Sequence, residues 1–490
     1  MSWSRRKRSK SNREHRQAFA DSEFRAEVGA DQWSEHRWES FVDSLSVRHQ
    51  AVRRYRRDHN PERLDGQPVA WYPSARRDEP NGNTPASRTL EYASGQFYLQ
   101  DAGSLLALAA CLGDHNSING QIVCDLCAAP GGKASGLLEA VGTTGFVLAC
   151  EPIASRIAPL ATNLARTGSG RYAIGHEDPE TIAAIVPGCF DLVLVDAPCS
   201  GQAMMGRGKQ SVGAASKRSI ALNAARQRRI LDAAAKLVRP GGRLVYSTCT
   251  FGISENESQI RHLIESGPWQ PDPVAALEAY QTSGMPGCYR LWPHEHDCAG
   301  AFAASLIKAK GPVSTSRSET LTSESQQTEP NRSMPSSSTV RPWKYRDGSL
   351  PDSHRPSPEA RQAMRDVFGD VGSETLIVQR DWVIDAMVND HPPWLAQLPV
   401  QGPECLHRTG QTWRPSHAAA LRRDALACSQ RLSLDDTQAA AYMCGETITA
   451  ALLAGMTGWC VVTWRDRPLG WIKSDGRVGK NHLPGHVRYR

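Results

Sequence analysis

Between residues 120 and 250 the chain alternates short apolar runs with stretches of helical period. Ile122-Val123-Cys124-Asp125-Leu126 is a β-rich run that stops at Ala128-Ala129-Pro130-Gly131-Gly132, and Lys133 to Ala140 reads as helix. Phe146 to Cys150 is a second run, closed by Glu151 and followed by a helical stretch to about Arg166; Tyr172-Ala173-Ile174 is a third, ahead of His176-Glu177-Asp178. Asp191 to Asp196, a helix from Leu222 to Val238, the turn Pro240-Gly241-Gly242 and the run Arg243 to Thr250 complete the series. Strands alternating with helices predict an α/β fold, a doubly wound and mostly parallel sheet, in which ligands bind outside the carboxyl ends of the strands.

The pattern changes near Gly311. From there to Pro358 the chain is rich in Ser, Thr, Pro, Glu and Gln, and such a segment buries too little surface to offset its ordering entropy. Residues 311–358 are therefore expected to be a disordered linker. Beyond it, 359–490 forms a further domain, in which Gly458 to Trp464 and Leu469 to Lys473 flank a polar turn and predict a hairpin. Ahead of the alternating block, residues 1–20 read as a basic flexible tail and 21–95 as a small α+β subdomain, leaving 96–310 for the main sheet.

Composition narrows the class. At 490 residues, with 40% hydrophobic and 22% charged residues, the chain holds material for two or three cores and is not disordered in bulk. No run approaches the ~20 apolar residues of a spanning helix, and the polar N-terminus lacks the apolar centre of a secretory signal, so a soluble cytoplasmic protein is expected. The 13 cysteines follow no framework spacing and are expected to be reduced thiols. A net charge of +6 favours a polyanionic partner: Arg5, Arg6, Lys7, Arg8, Lys10, Arg13 and Arg16 make a basic head, and Arg53, Arg54, Arg56 and Arg57 bracket Tyr55, a pattern suited to a nucleic-acid backbone with a stacked base.

Chemistry-bearing residues gather at the strand ends. The Gly131-Gly132 turn allows close backbone approach to a ligand. Glu151 stands where a nucleotide-binding sheet places its ribose acceptor, and Asp178 and Asp196 close the next two strands. Asp196-Ala197-Pro198-Cys199-Ser200-Gly201 and Tyr246-Ser247-Thr248-Cys249-Thr250 end adjacent strands, so Cys199 and Cys249 can face one crevice; by pattern alone either is a candidate nucleophile. Cys124 and Cys127 form a C-x-x-C pair without a second pair at zinc spacing, and His294, His296 and Cys298 read as a polar loop, so no metal is expected.

Asp125-Leu126-Cys127-Ala128-Ala129-Pro130-Gly131-Gly132-Lys133, together with the two cysteine motifs, resembles the signature of the NOL1/NOP2/Sun family of RNA cytosine-5 methyltransferases. Arg290-Leu291-Trp292-Pro293-His294 with Gly300-Ala301-Phe302, and Gly95 to Asp101, resemble its flanking motifs, so the resemblance covers about residues 40–310. It implies a class I methyltransferase fold and S-adenosylmethionine as cofactor. Cys127, Ala128, Ala129, Pro130, Gly131, Gly132 and Lys133 would contact the methionine part, Glu151 the ribose, Asp178 the adenine side and Asp196 the edge nearest the base. It assigns the nucleophile to Cys249, the release thiol to Cys199 and the base-orienting acid to Asp196, with Lys133 beside them. The C-terminal hairpin and Lys480-Asn481-His482 resemble the PUA-like domain of the bacterial small-subunit ribosomal RNA member. The expected substrate is therefore 16S ribosomal RNA, methylated by a monomer with no membrane or metal partner; transfer RNA, or an RNA-binding role in ribosome assembly, are the alternatives. Arg207, Lys209, Lys217 and Arg218 are candidate phosphate contacts near the mouth.

Overall fold

The computed structural model describes residues 22–77, 85–208, 210, 212–310, 356–369, 376–379, 382–385, 392–424, 428 and 430–489. The basic head and most of the expected linker lie outside the described residues, as does Lys209.

Two short helices, Ser22–Val28 and Glu35–Ser44, come first. The second is started by Ser34, whose hydroxyl accepts from the Arg37 amide. A four-stranded antiparallel sheet follows, made of β1 (Val52–Tyr55), β2 (Gln67–Val69), β3 (Tyr72–Arg77) and β4 (Phe97–Gln100) in the order β2-β3-β1-β4. Here the charge run departs from its expected role. Side chains of a strand alternate faces, so Val52 and Arg54 both turn inward and are buried. Arg54 is buried against Glu139 (2.9 Å) and Ser135 (2.8 Å), and Arg56 donates to the Gly95 and Thr167 carbonyls. These two arginines hold the subdomain to the main sheet and do not face solvent.

The main sheet contains β5 (Ile122–Asp125), β6 (Phe146–Cys150), β7 (Tyr172–Gly175), β8 (Phe190–Asp196) and β9 (Val238–Thr248), all mutually parallel where they pair, in the order β9-β8-β5-β6-β7. On one side β10 (Trp269–Pro271), β11 (Cys288–Leu291) and β12 (Ala301–Lys308) extend it in antiparallel fashion. Every residue of β6 is buried, as expected for a strand covered on both faces by helices. One face packs the helix Leu105–Leu112 and the other packs the long helix Lys217–Leu237, each inside its own apolar cluster. That long helix begins five residues before the predicted start because Ser216 caps it and its first turn is polar.

The helix Pro358–Phe368, then β13 (Leu376–Gln379) and β14 (Trp382–Asp385), open the C-terminal region. The two-residue β15 (Val400–Gln401) then joins the main sheet, pairing antiparallel with the outer edge of β7. β16 (Glu404–Thr409) and β17 (Thr412–Pro415) complete a sheet with β13 and β14. A last five-stranded sheet is built from β18 (Arg431–Leu434), β19 (Ile448–Thr449), β20 (Thr457–Trp464), β21 (Arg467–Asp475) and β22 (Val478–Asn481). β20 and β21 are the predicted hairpin, longer than its apolar runs by a few residues.

The described residues beyond 358 thus contribute two sheets of their own. No helix among the described residues is long and apolar enough to cross a membrane.

Candidate functional site

The carboxyl ends of β5, β6, β8 and β9 bring most of the predicted residues together. After β5 the chain turns through a cis Ala129–Pro130 bond into Gly131, whose φ of 107° favours glycine, and into the helix Gly132–Ala140. A Cβ on Gly131 would also sit 3.0 Å from the Asn163 Cβ, so the backbone conformation calls for glycine and the space offers a side chain only a tight fit. Asn163 donates to the Pro130 carbonyl (2.7 Å) and Arg156 to that of Ala129 (2.6 Å), pinning the turn to the next helix.

At the end of β6, Glu151 is buried, 2.7 Å from Arg156 and accepting the Ile153 amide at 3.0 Å. Asp178 lies elsewhere: exposed after β7, it caps the helix Pro179–Ile185 by accepting from the Thr181 amide. The structure gives it this local role and does not bring it to the thiols.

Asp125, at the end of β5, was part of the quoted motif but had been assigned no role. It is fully buried; Oδ1 accepts the Cys127 amide at 3.3 Å, and Oδ2 is buried with no hydrogen-bond partner among the described residues. Burial, reinforced by the nearby Asp196, pushes its carboxyl up to about 7. The signal that could have found it is the one that found Glu151, a carboxylate closing a buried strand.

Asp196 closes β8. Its Oδ2 lies 2.7 Å from the Lys133 ammonium and its Oδ1 accepts from the Ser247 hydroxyl at 2.8 Å. Burial alone would lower Lys133, but the Asp196 carboxylate outweighs it and holds the ammonium raised. Beside this pair the Cys199 and Cys249 sulfurs stand 3.3 Å apart. The hydrogen bond with Cys249, then burial, push the Cys199 thiol well above its usual range. Of the charged neighbours, Lys133 reaches Cys249, whereas Cys199 feels Glu255.

Glu255 and Gln227 were not singled out from the sequence. Glu255 is fully buried between the two cysteine loops. Its carboxylate accepts the Ser200 amide (2.9 Å), the Ser200 hydroxyl (2.5 Å) and the Gln227 side chain (2.9 Å), and its own carbonyl accepts from the Tyr246 hydroxyl (2.6 Å). Burial pushes its carboxyl upward against these donors. Ser200 also meets Thr250 at 2.7 Å, and Gln227 donates to the Pro198 carbonyl at 3.0 Å. The loop after β8 and the loop after β9 are thereby fastened to each other.

The N-terminal helices brace the far side. Glu27 accepts the Ser254 amide and hydroxyl (2.8 and 2.9 Å), and Phe41 meets Phe251 and Trp292 edge to face. His294 lies beside Trp33 and Phe41 within this aromatic group. Among the described residues no three His, Cys, Asp or Glu side chains converge as metal ligands. Cys124 lies 3.9 Å from Cys150 on the neighbouring strand. Of the basic loop, Arg207 pairs with Asp101 (3.0 Å) and Lys217 with Glu23 (2.7 Å), while Arg218 is exposed.

Known proteins share this arrangement. The family described as 16S rRNA methyltransferase RsmB/F matches residues 115–307, and the methyltransferase RsmF PUA domain matches 429–489. Ribosomal RNA small subunit methyltransferase F of Enterobacter sp. (strain 638) is 30% identical over 449 residues, 87% of this chain and 85% of that one. The protein of the same name from Cronobacter sakazakii is 36% identical over 249 residues, an alignment in which the chain spans about half the relative's length, 51%.

Among solved structures, PH0851 superposes with a TM-score of 0.51 at 26% identity, over 60% of this chain and 68% of that one. A methyltransferase homologue from Pyrococcus horikoshii shares the fold with a TM-score of 0.50 at 24% identity, over 61% of this chain and 99% of that one. The sheet order and these neighbours make the fold that of a class I S-adenosylmethionine-dependent methyltransferase. With one relative matched over most of both lengths, the chain belongs to the RsmB/F family of 16S rRNA methyltransferases and carries that family's RsmF PUA domain.

Proposed function

We propose that this protein methylates carbon 5 of a cytosine in 16S ribosomal RNA through a covalent bond between Cys249 and the base. The observation that carries the reading is the pair of thiols 3.3 Å apart beside the Lys133–Asp196 ion pair. A single thiol would suffice for a structural cysteine; two at one ligand-binding edge match a reaction that needs a nucleophile and a base.

The residues present fit S-adenosylmethionine. The unpartnered Asp125 Oδ2 is a buried acceptor suited to an ammonium group, Glu151 offers a carboxylate to ribose hydroxyls, and the Cys127–Lys133 turn allows close backbone approach. Asp178 would lie on the adenine side and Asp196 at the edge toward the base. When bound, the cofactor supplies an electrophilic methyl group.

Carbon 5 of cytosine is a poor nucleophile. In this reading the Cys249 thiolate bonds to carbon 6 while ring nitrogen 3 takes a proton from solvent, with Asp196 orienting the base and Lys133 holding that carboxylate in place. Carbon 5 thereby gains the electron density it needs to be methylated. Cys199, having given its own proton to solvent, then removes the carbon 5 proton as thiolate; that electron pair restores the carbon 5–carbon 6 double bond and expels Cys249 as thiolate, and nitrogen 3 returns its proton to solvent. The unequal surroundings support this division of labour. Lys133 lies within reach of Cys249, while the hydrogen bond with Cys249, then burial, push the Cys199 thiol well above its usual range, so Cys199 begins the cycle as the thiol. A base stacked in a duplex cannot present carbon 6, so the target is expected in a loop or flipped out.

The test is methyl transfer from labelled cofactor to 16S RNA, small subunits and transfer RNA, with the modified position mapped. Label at cytosine carbon 5 of 16S RNA is expected. Label in transfer RNA alone would move the substrate, and tight RNA binding without transfer would make the protein an assembly factor.

Asp125 adds a pH dependence. Its folded carboxyl titrates near 7, above the ordinary value of about 4, so the folded apoprotein retains a proton that the unfolded chain has lost, and the stability cost of ionising it grows as pH rises from about 4 to 7. An ammonium ligand prefers the carboxylate. Cofactor affinity is therefore expected to rise about tenfold between about pH 6 and 8, and Asp125→Asn to bind weakly without that slope. Titration calorimetry across this range checks it; an unchanged slope in the variant would remove Asp125 from the cofactor site.

A further inference from the structure

The arginine run that the fold turned inward does not end in a balanced ion-pair network. Where the sheet β2-β3-β1-β4, the main sheet and the PUA strands meet, three guanidiniums converge: Arg56 just after β1, Arg423, and Arg467 at the start of β21. Asp58 is the carboxylate that faces them, 2.9 Å from Arg467 and 3.9 Å from Arg423. The other acids nearby are engaged, Glu139 by Arg54 and Asp424 by Arg422. His59, 3.3 Å from Arg467, adds no negative charge; burial, and then Arg467, lower its imidazole and keep it neutral at pH 7.

The cluster is thus about two positive charges in excess in a largely enclosed place. Arg56 is 7% exposed, and the side chains of Arg467 and Arg423 are 18% and 26% exposed. Arg423 Nε and Arg467 Nη1 are buried donors with no acceptor among the described residues. Burial first, and then the neighbouring arginines, depress Arg56 to about 9 and Arg423 to about 10. Buried charge is ordinarily paired. Asp58, 54% exposed, marks the side on which an anion can enter.

We propose that Arg423 and Arg467, backed by Arg56, form a binding site for one backbone phosphate of the substrate RNA, held at the junction of the N-terminal sheet and the PUA strands. Guanidinium forks suit phosphate oxygens, and the contributing residues come from both ends of the chain, so an occupied site ties the RNA to both flanking regions while the target base lies at the thiols. The proposal rests on the reading that the substrate is RNA. In it, Asp58 occupies the place of the phosphate in the free protein and competes with it.

That competition supplies a test by sign. A labelled 16S RNA fragment is titrated with full-length wild type, Arg467→Gln, Arg423→Gln and Asp58→Asn between about 50 and 300 mM salt. The two arginine variants are expected to bind about tenfold more weakly at low salt, with the slope of log affinity against log salt reduced by about 0.7, while retaining wild-type cofactor affinity as a check on folding. Asp58→Asn is expected to bind several-fold more tightly.

If the cluster only glues domains together, Asp58→Asn and Arg467→Gln weaken binding alike, or neither changes it, and either result overturns the site. Binding of inorganic phosphate by wild type but not by the arginine variants, with the RNA affinities of all variants unchanged, would reassign it to a free anion. Wild type that binds no RNA would overturn the substrate reading and this site together, whereas wild type that binds while the variants match it overturns the site alone.

Discussion

Cys249→Ala is expected to lose methyl transfer by about 10⁴-fold or more, and Cys199→Ala to stall as a protein–RNA adduct that survives denaturation. Both follow from two sulfurs 3.3 Å apart with different surroundings. Without the Cys249 sulfur no bond to carbon 6 forms, and nothing else at the site activates carbon 5. Without Cys199 the bond forms and the methyl group arrives, but the carbon 5 proton has no base and Cys249 cannot leave. The measurement is a denaturing gel of each variant after incubation with cofactor and RNA, followed by sequencing of the trapped strand. Adducts with Cys199→Ala and none with Cys249→Ala are expected. The reverse pattern would make Cys199 the nucleophile and exchange the two roles.

Glu255→Ala is expected to cost about 4 kcal/mol of stability and about 100-fold in kcat with little change in cofactor affinity. The substitution strands three donors in a fully buried place: the Ser200 amide, the Ser200 hydroxyl and the Gln227 amide. Each lost bond to a buried charge is worth about 1.5–3 kcal/mol, and partial relaxation brings the total to the figure given. The catalytic loss has a separate origin. Ser200 follows Cys199 and Thr250 follows Cys249, so loosening their shared anchor lets the sulfurs drift, and a shift of about 1 Å is enough for a hundredfold effect. Chemical denaturation and single-turnover transfer measure the two parts. Glu255→Gln, which keeps the shape and one acceptor, should recover most of the stability; if Glu255→Ala retains kcat within threefold, the thiols are aligned by something else.

How far the sequence spoke depended on the range of the interactions. β5 to β9 were legible because each is a short apolar run closed by a turn or a charged residue, and the ligand-binding edge followed from the strand order they imply. Cys199, Cys249 and Asp196 were legible because each lies at or just past a strand end, whereas Lys133 was named only through the motif resemblance. The Arg53–Arg57 run misled because charge was read without its period: alternate residues of a strand share a face, so Arg54 went inward with Val52. Glu255, Gln227 and Ser200 form one network from positions widely separated along the chain, a relation that no local pattern encodes. β15 is two residues long and carries no periodicity at all.

That small strand bears on where the catalytic unit stops. Val400 and Gln401 occupy the margin of β7, and Trp394 packs on Phe190 with ring centroids 4.8 Å apart. A fragment ending at Lys310 would contain every residue of the proposed reaction yet leave the backbone groups along β7 open to pairing with a second molecule and Phe190 without its cover. The sequential boundary of the enzyme is therefore a poor place to cut it. Such a fragment is expected to self-associate, with the residues from Pro392 to Gln401 acting in the full chain as an intramolecular guard against aggregation.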